Sequence, residues 1–426
     1  MGTKKTIILA LASTLLIQGQ VTWAGDLERN QARRIHDRLT GVSPTNTAVD
    51  DMETLLLGDP SGKTAAQYAI DTAQNPNARY FYNVTLKNFA APWTNEEQTV
   101  FTPLNDYSAT VVGAIRDSID FRRILYDDLV YVGQVGGIAP YRVGDNDHYE
   151  DLEALGPVTG DLSSASVLDA DTQSNVSGLA SGATAGIMTS RAAAMAFFSD
   201  GTNRAMFRFT LMNHLCTDLE PLKDASRTPD RVRRDVSRSP GGDSRIFLNG
   251  CLGCHAGMDG MAGAYAYYEW DYSGDDKTTG SLLYTPGTVS AKHNINENNF
   301  EHGYITIDDS WRNYWRVGPN SILGNRPGDA TSGWNPSGGT LPGVSIDADL
   351  GYSYGNGAKS LGRELANSKA FAQCQVDKVF KAVCLRDPNV FAADRTARDT
   401  FVGNFTASNY DMKGVFTDVA AHCKGG

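Results

Sequence analysis

The residues best placed to do chemistry are two cysteines and a histidine in the run Cys251-Leu252-Gly253-Cys254-His255. Two thiols separated by two residues can meet the two vinyl groups of a porphyrin. A histidine directly after the second thiol is then delivered under the ring, where its imidazole reaches the iron. That spacing is the attachment site of a c-type haem. Two other chemistries use similar residues. A redox-active dithiol is expected beside a βαβ pattern, and none surrounds this run. A structural zinc asks for a second Cys pair, or a His pair at short spacing, and the sequence has neither. The motif therefore predicts one covalent haem c, with Cys251 and Cys254 as its anchors and His255 as the proximal ligand of its iron.

A second axial ligand has to arrive from another segment. Met258 lies too close behind His255 and stays on the same side of the ring. Downstream stand His293, His302, Met412 and His422, and Met206, Met212 and His214 lie on an earlier helical stretch. His293, in the polar run Ala291-Lys292-His293-Asn294-Ile295-Asn296, is the first candidate for the distal position and His302 the alternative. An iron left open is the other outcome. A methionine there raises the potential and a histidine lowers it, and the sequence leaves the choice open.

The elements that must position these residues read as mainly α. Helical N- and C-terminal modules are expected to flank a loop-rich haem c-binding region, divided as 25–135, 136–360 and 361–426 after a leader at 1–24. From Asn30 to about Val132 apolar residues recur at three- and four-residue spacing, with breaks near Pro44, Pro60, Pro76 and Pro92. Gly133 to about Ala185 reads as long loops with a few strands. Its run Asp145 to Asp151 invites calcium but lacks the glycine and the distant glutamate of a helix-loop-helix site, so a solvated acidic loop is expected. Helix resumes from Ser190 to about Leu219. Arg227, Arg231, Arg233, Arg234, Arg238 and Arg245 then lead into the motif, suited to haem propionates, an acidic partner or a solvated face. Tyr265, Tyr267, Tyr268, Trp270 and Tyr272 follow it and are expected to pack on the porphyrin or fill core. A long Gly- and Asn-rich region runs on to about Gly357. At the end, Ser368 should cap a helix reaching Cys384, with further helices over Ala392–Val402 and Asp411–Cys423.

The start has the pattern of a secretory signal: Lys4 and Lys5, an apolar run from Thr6 to Ile17, and Thr22-Trp23-Ala24 as a cleavage site. The run is shorter than the roughly 20 residues of a membrane span. A mature chain from Gly25, periplasmic or secreted and without a membrane span, is expected. In that oxidising compartment the four cysteines outside the motif, Cys216, Cys374, Cys384 and Cys423, are expected to form two disulfides. Cys374 and Cys384 share a helix and would stand about 15 Å apart, too far to bridge. If the last three helices run up, down and up, Cys384 meets Cys423 and Cys216 is left for Cys374. The formal charge of −11 repels phosphates and argues against nucleic acid.

Three stretches resemble the planctomycete-type cytochrome c family, whose exported multidomain members of unknown function surround a CxxCH segment. They are Arg34 to Pro44, with its Arg-Leu-Thr-Gly run; Arg245 to Ala264, where Met258-Asp259 follows the haem motif; and Leu361 to Cys423, similar to a C-terminal helical module. The resemblance implies haem and export rather than a reaction. With no nucleophile, zinc or nucleotide motif elsewhere, the expected role is electron transfer to a redox partner protein. A carrier needs only about a hundred residues. The surplus length keeps open a haem enzyme or sensor with an open iron, or a haem-bearing scaffold.

Overall fold

Helix α1 (Ala24–Thr40) forms because Ala32, Ile35 and Leu39 recur at helical spacing and give it one apolar stripe, which is buried. That stripe packs on α2 (Asn46–Gly58), started by the Thr45 hydroxyl accepting from Ala48 N, and on α3 (Lys63–Ile70). The computed structural model describes residues 24–199, 203–232, 244–294, 304–324, 341–347 and 349–425. The leader up to Trp23, the candidate ligand His302 and the arginines Arg233, Arg234 and Arg238 lie outside the described residues.

The chain is mostly helical, 55% against 9% strand, as the apolar spacing predicts. Helix α4 (Asp106–Arg116) is fully buried and begins with a reciprocal cap between Asn105 and Ser108. Strand β1 (Val130–Gly133) pairs antiparallel with β2 (Leu168–Asp171). Between them lies α5 (Asp147–Ala154), which corrects the expectation of a solvated acidic loop: His148, Tyr149 and Leu152 point inward, so the acidic residues are one face of a helix. His148 is held at both ring nitrogens, by the Ala139 carbonyl and by Gly133 N.

Helices α6 (Arg191–Phe197) and α7 (Asn203–Leu215) follow, then α8 (Leu252–Ala262), which carries the second cysteine and the histidine of the motif. Strands β3 (Tyr268–Tyr272) and β4 (Gly280–Tyr284) form a hairpin, with Tyr268 opposite Tyr284. A three-stranded sheet has β7 (Ser353–Asn356) between β5 (Ser310–Asn313) and β6 (Val344–Ile346). The end is α9 (Gly357–Ala366), α10 (Lys369–Val379, continued to Cys384 by a wider π turn), α11 (Ala392–Ala407) and α12 (Met412–His422). Ser368 caps α10 by accepting from Phe371 N, and Asp411 caps α12 by accepting from Lys413 N.

One hydrophobic core runs from Ala32 to Cys423. Both α1 and α3 pack on α12, and Gln31 donates to the Gly425 carbonyl, so the N-terminal helices close on the last one. Helix α7 bridges the two halves of the site's surroundings, packing on α8 on one side and on α10 on the other. Disulfides Cys216–Cys374 and Cys384–Cys423 tie α7 to α10 and the π turn after α10 to the end of α12, the pairing expected for up, down and up helices. Among the described residues no helix is long and apolar enough to cross a membrane.

Candidate functional site

Cys251 ends a wide π turn, Phe247–Cys251, that runs straight into α8, so Cys251, Cys254 and His255 lie within one helical turn. Helix α8 is fixed by close approach. A Cβ on Gly257 would fall 2.0 Å from the indole of Trp315, and one on Gly260 would fall 2.9 Å from the Arg312 carbonyl. Glycine at these positions lets the helix lie directly on β5 and the turn after it. Met258 and Met261 are buried in the core, so Met258 is packing material.

Neither motif cysteine is in a disulfide, and both are partly exposed. The Cys254 thiol lies 3.5 Å from the Leu219 carbonyl, and burial pushes its pKa up. A reactive dithiol has the opposite trend, a thiolate favoured by its surroundings. The cysteines and the histidine also fail as a metal cage: no group of three or more His, Cys, Asp or Glu among the described residues converges on a point that could hold an ion.

The imidazole of His255 is anchored on one side only. Its Nδ1 lies 3.2 and 3.3 Å from the two carboxylate oxygens of Asp259, one turn further along α8. The Asp259 side chain is 0% exposed, and Arg204 on α7 grips it, with Nε 2.8 Å from Oδ1 and a terminal nitrogen 3.3 Å from Oδ2. A carboxylate paired with a guanidinium can only accept, so His255 donates from Nδ1, and in the neutral imidazole Nε2 then carries the lone pair. Nε2 makes no hydrogen bond to a described residue, and the side chain is 20% exposed. This is the arrangement of a ligand histidine, whose second nitrogen is held by a carboxylate while the first faces a metal.

The turn leading into α8 exposes apolar side chains alongside the polar Arg245 and Asn249. Ile246 is 50% and Leu248 56% exposed, and Leu252 is half-buried. Leu252 lies four residues after Leu248 and His255 four after Cys251, with Cys251 three after Leu248, which places the four along one side of the helix. One thiol, Cys251, shares this side with the imidazole, and the second unbridged thiol, Cys254, directly precedes His255 beside the Leu219 carbonyl; two unbridged thiols and an imidazole so placed are the residues that haem c requires.

The other candidate ligands are distributed through the fold. His293 is buried, 1% exposed, on a short turn whose Ser290 donates its N–H to the carbonyl of Ala266, just past the far end of α8 from His255. His214 is enclosed by Tyr107 and Trp93, its Nε2 is 2.7 Å from the Tyr107 hydroxyl, and burial pushes its pKa well below the usual range. His422 Nε2 is 2.7 Å from Asp394 at the end of α12, and Met412 is buried at the start of that helix. Met206 is buried on α7 and Met212 half-buried.

Arg227 is spent on Asp224, and Arg231 on the Tyr304 hydroxyl. The aromatic run after the motif fills core: Tyr265, Tyr268 and Trp270 are buried against Phe198, Met188 and Arg191. The pairing of His255 with Asp259 escaped the sequence reading, although two residues four apart on a helix share a face and the signal was present. Arg204, 55 residues upstream, had no such signal. No family model, curated protein or solved structure matches this chain.

Proposed function

We propose that this chain is an exported monohaem c-type cytochrome that transfers electrons, related to the planctomycete-type cytochrome c proteins. The observation that carries the proposal is the pair of unbridged, partly exposed thiols beside an imidazole whose Nδ1 is tied to Asp259 and whose Nε2 makes no hydrogen bond to a described residue. Cys251 and Cys254 would hold the haem by adding their S–H bonds across its two vinyl groups. Each addition forms a carbon–sulfur bond and places the hydrogen on the neighbouring vinyl carbon, with no leaving group. His255 would be the proximal ligand, and His302, or His293 if its turn left the place it holds beside Ala266, would close the opposite side. Bound in this way, haem supplies an iron that takes up and releases one electron.

The chain's own residues set the conditions. Arg204 and Asp259 orient the imidazole, and the close packing of α8 on Trp315 would hold it in place beneath a bound haem. A ring seated here would cover the exposed Leu248 and the half-buried Leu252 and withdraw them from water, and the lower local dielectric would strengthen charge interactions there. The two disulfides suit an oxidising compartment, periplasmic or extracellular, where haem ligation takes place. The partner would be another redox protein, and no role with nucleic acid is proposed for so acidic a chain.

The experiment is co-expression of the full chain with a haem-ligation system, followed by haem staining on a denaturing gel. A stained band that Cys251→Ala and Cys254→Ala weaken supports the proposal. Unstained protein refutes it.

A further inference from the structure

A ligand histidine can be anchored by a neutral carbonyl or by a carboxylate, and the two make different metals of the same iron. Here the anchor is a carboxylate, wholly buried, with both oxygens within 3.3 Å of Nδ1. Burial matters because water and salt would otherwise screen the interaction. The geometry is also rigid, since donor and acceptor sit one turn apart on a helix pressed against Trp315 and the Arg312 carbonyl. Arg204 fixes the plane of the carboxylate by meeting both of its oxygens and supplies the countercharge a buried carboxylate needs. The partner in direct hydrogen bond with Nδ1 is the carboxylate, so its influence on the imidazole is the nearer one.

We infer that Asp259, oriented by Arg204, is the positioning residue that makes His255 a strong electron donor and thereby holds the haem iron at a low reduction potential. The inference rests on the haem reading above and deepens it. A hydrogen bond from Nδ1–H to a carboxylate raises the basicity of the ligating nitrogen. Ferric iron carries one more positive charge than ferrous, so a more basic ligand favours the ferric state. Hydrogen bonding beyond the axial ligand is one of the levers by which a protein sets haem potential. The chain would accordingly take its electron from a strongly reducing partner and pass it on readily.

The test is a redox titration of the haem-loaded full chain, its Asp259→Asn and Asp259→Glu variants, and the double variant Arg204→Met with Asp259→Asn. All four are first checked for covalent haem on a denaturing gel. Asp259→Asn should shift the ferrous-to-ferric ratio at fixed applied potential at least tenfold toward ferrous, an upward move of about 59 mV or more. Asp259→Glu, which keeps the charge, should stay nearer the parent than Asp259→Asn does. If Asp259→Asn does not fold, the double variant, which removes both charges, must show the upward shift instead. A haem-loaded variant whose potential is unchanged or lower overturns the inference and leaves the haem reading standing. A parent chain that takes up no covalent haem overturns both.

Discussion

Cys216, just past the end of α7, is bridged to Cys374 on α10 across 158 residues of sequence. The helix that carries Arg204 is thereby fastened to the C-terminal bundle, and the second bridge, Cys384–Cys423, closes that bundle across 39 residues. Loop entropy makes the longer bridge worth up to about 5 kcal/mol and the shorter about 4 kcal/mol. Replacing Cys216 and Cys374 together by serine should lower the urea midpoint more than replacing Cys384 and Cys423. Alkylation of the unreduced, haem-free chain should label Cys251 and Cys254 alone. Labelling of all six cysteines would contradict the pairing.

Gly257 leaves no room for a side chain, because its added Cβ would meet the Trp315 ring at 2.0 Å. Overpacking of this kind costs about 1–3 kcal/mol. Gly257→Ala should lower the thermal midpoint, while Gly250→Ala, where a Cβ meets nothing within 4 Å, should cost far less. Equal losses from the two substitutions would mean that α8 does not lie against Trp315 as described.

At the C-terminal end, the Arg386 guanidinium, and after it His422, hold the Asp394 carboxyl down from its usual 3.8 to about 2. A carboxyl depressed on folding stabilises the protein fully above pH 3.8 and loses that contribution as pH falls toward 2. Asp394→Asn should therefore be less stable than the parent at neutral pH, by about 2 kcal/mol at most. The gap should close between about pH 4 and pH 2, read as urea midpoints over a pH series. A gap independent of pH would assign the loss to packing instead of charge.

Much of this architecture is written locally. Ser368 and Asp411 cap their helices as their residue types require, and Cys384 meets Cys423 because short connections force the last three helices to alternate in direction. The Tyr268 to Tyr272 stretch also carried its strand signal, since Tyr268 and Trp270 are buried while Glu269 and Asp271 between them are not. Acidic residues at 145–151 suggested a loop, but His148, Tyr149 and Leu152 supply an inward helical face that outweighs the charges. What could not be read locally is tertiary. Arg204 reaches Asp259 only because α7 packs on α8, and the need for glycine at 257 exists only because Trp315 arrives from a later segment.

The sixth position of the iron can be tested apart from the haem itself. A histidine from the stretch at 291–302 is expected to close it, giving low-spin spectra in both oxidation states. The reduced parent should then leave carbon monoxide unbound. Either His293→Gly or His302→Gly should open the iron to rapid carbon monoxide binding, and the substitution that does so names the ligand. Rapid binding by the unsubstituted reduced protein would contradict a closed site and favour a haem enzyme or sensor.

The central claim, that Cys251, Cys254 and His255 hold a covalent haem, is tested most directly by the intact mass of the denatured chain after co-expression with a haem-ligation system. A mass greater than the polypeptide by one haem is expected, surviving denaturation and lost from the Cys251→Ala, Cys254→Ala double variant. A chain at the bare polypeptide mass, with both motif thiols free to alkylate, would contradict it.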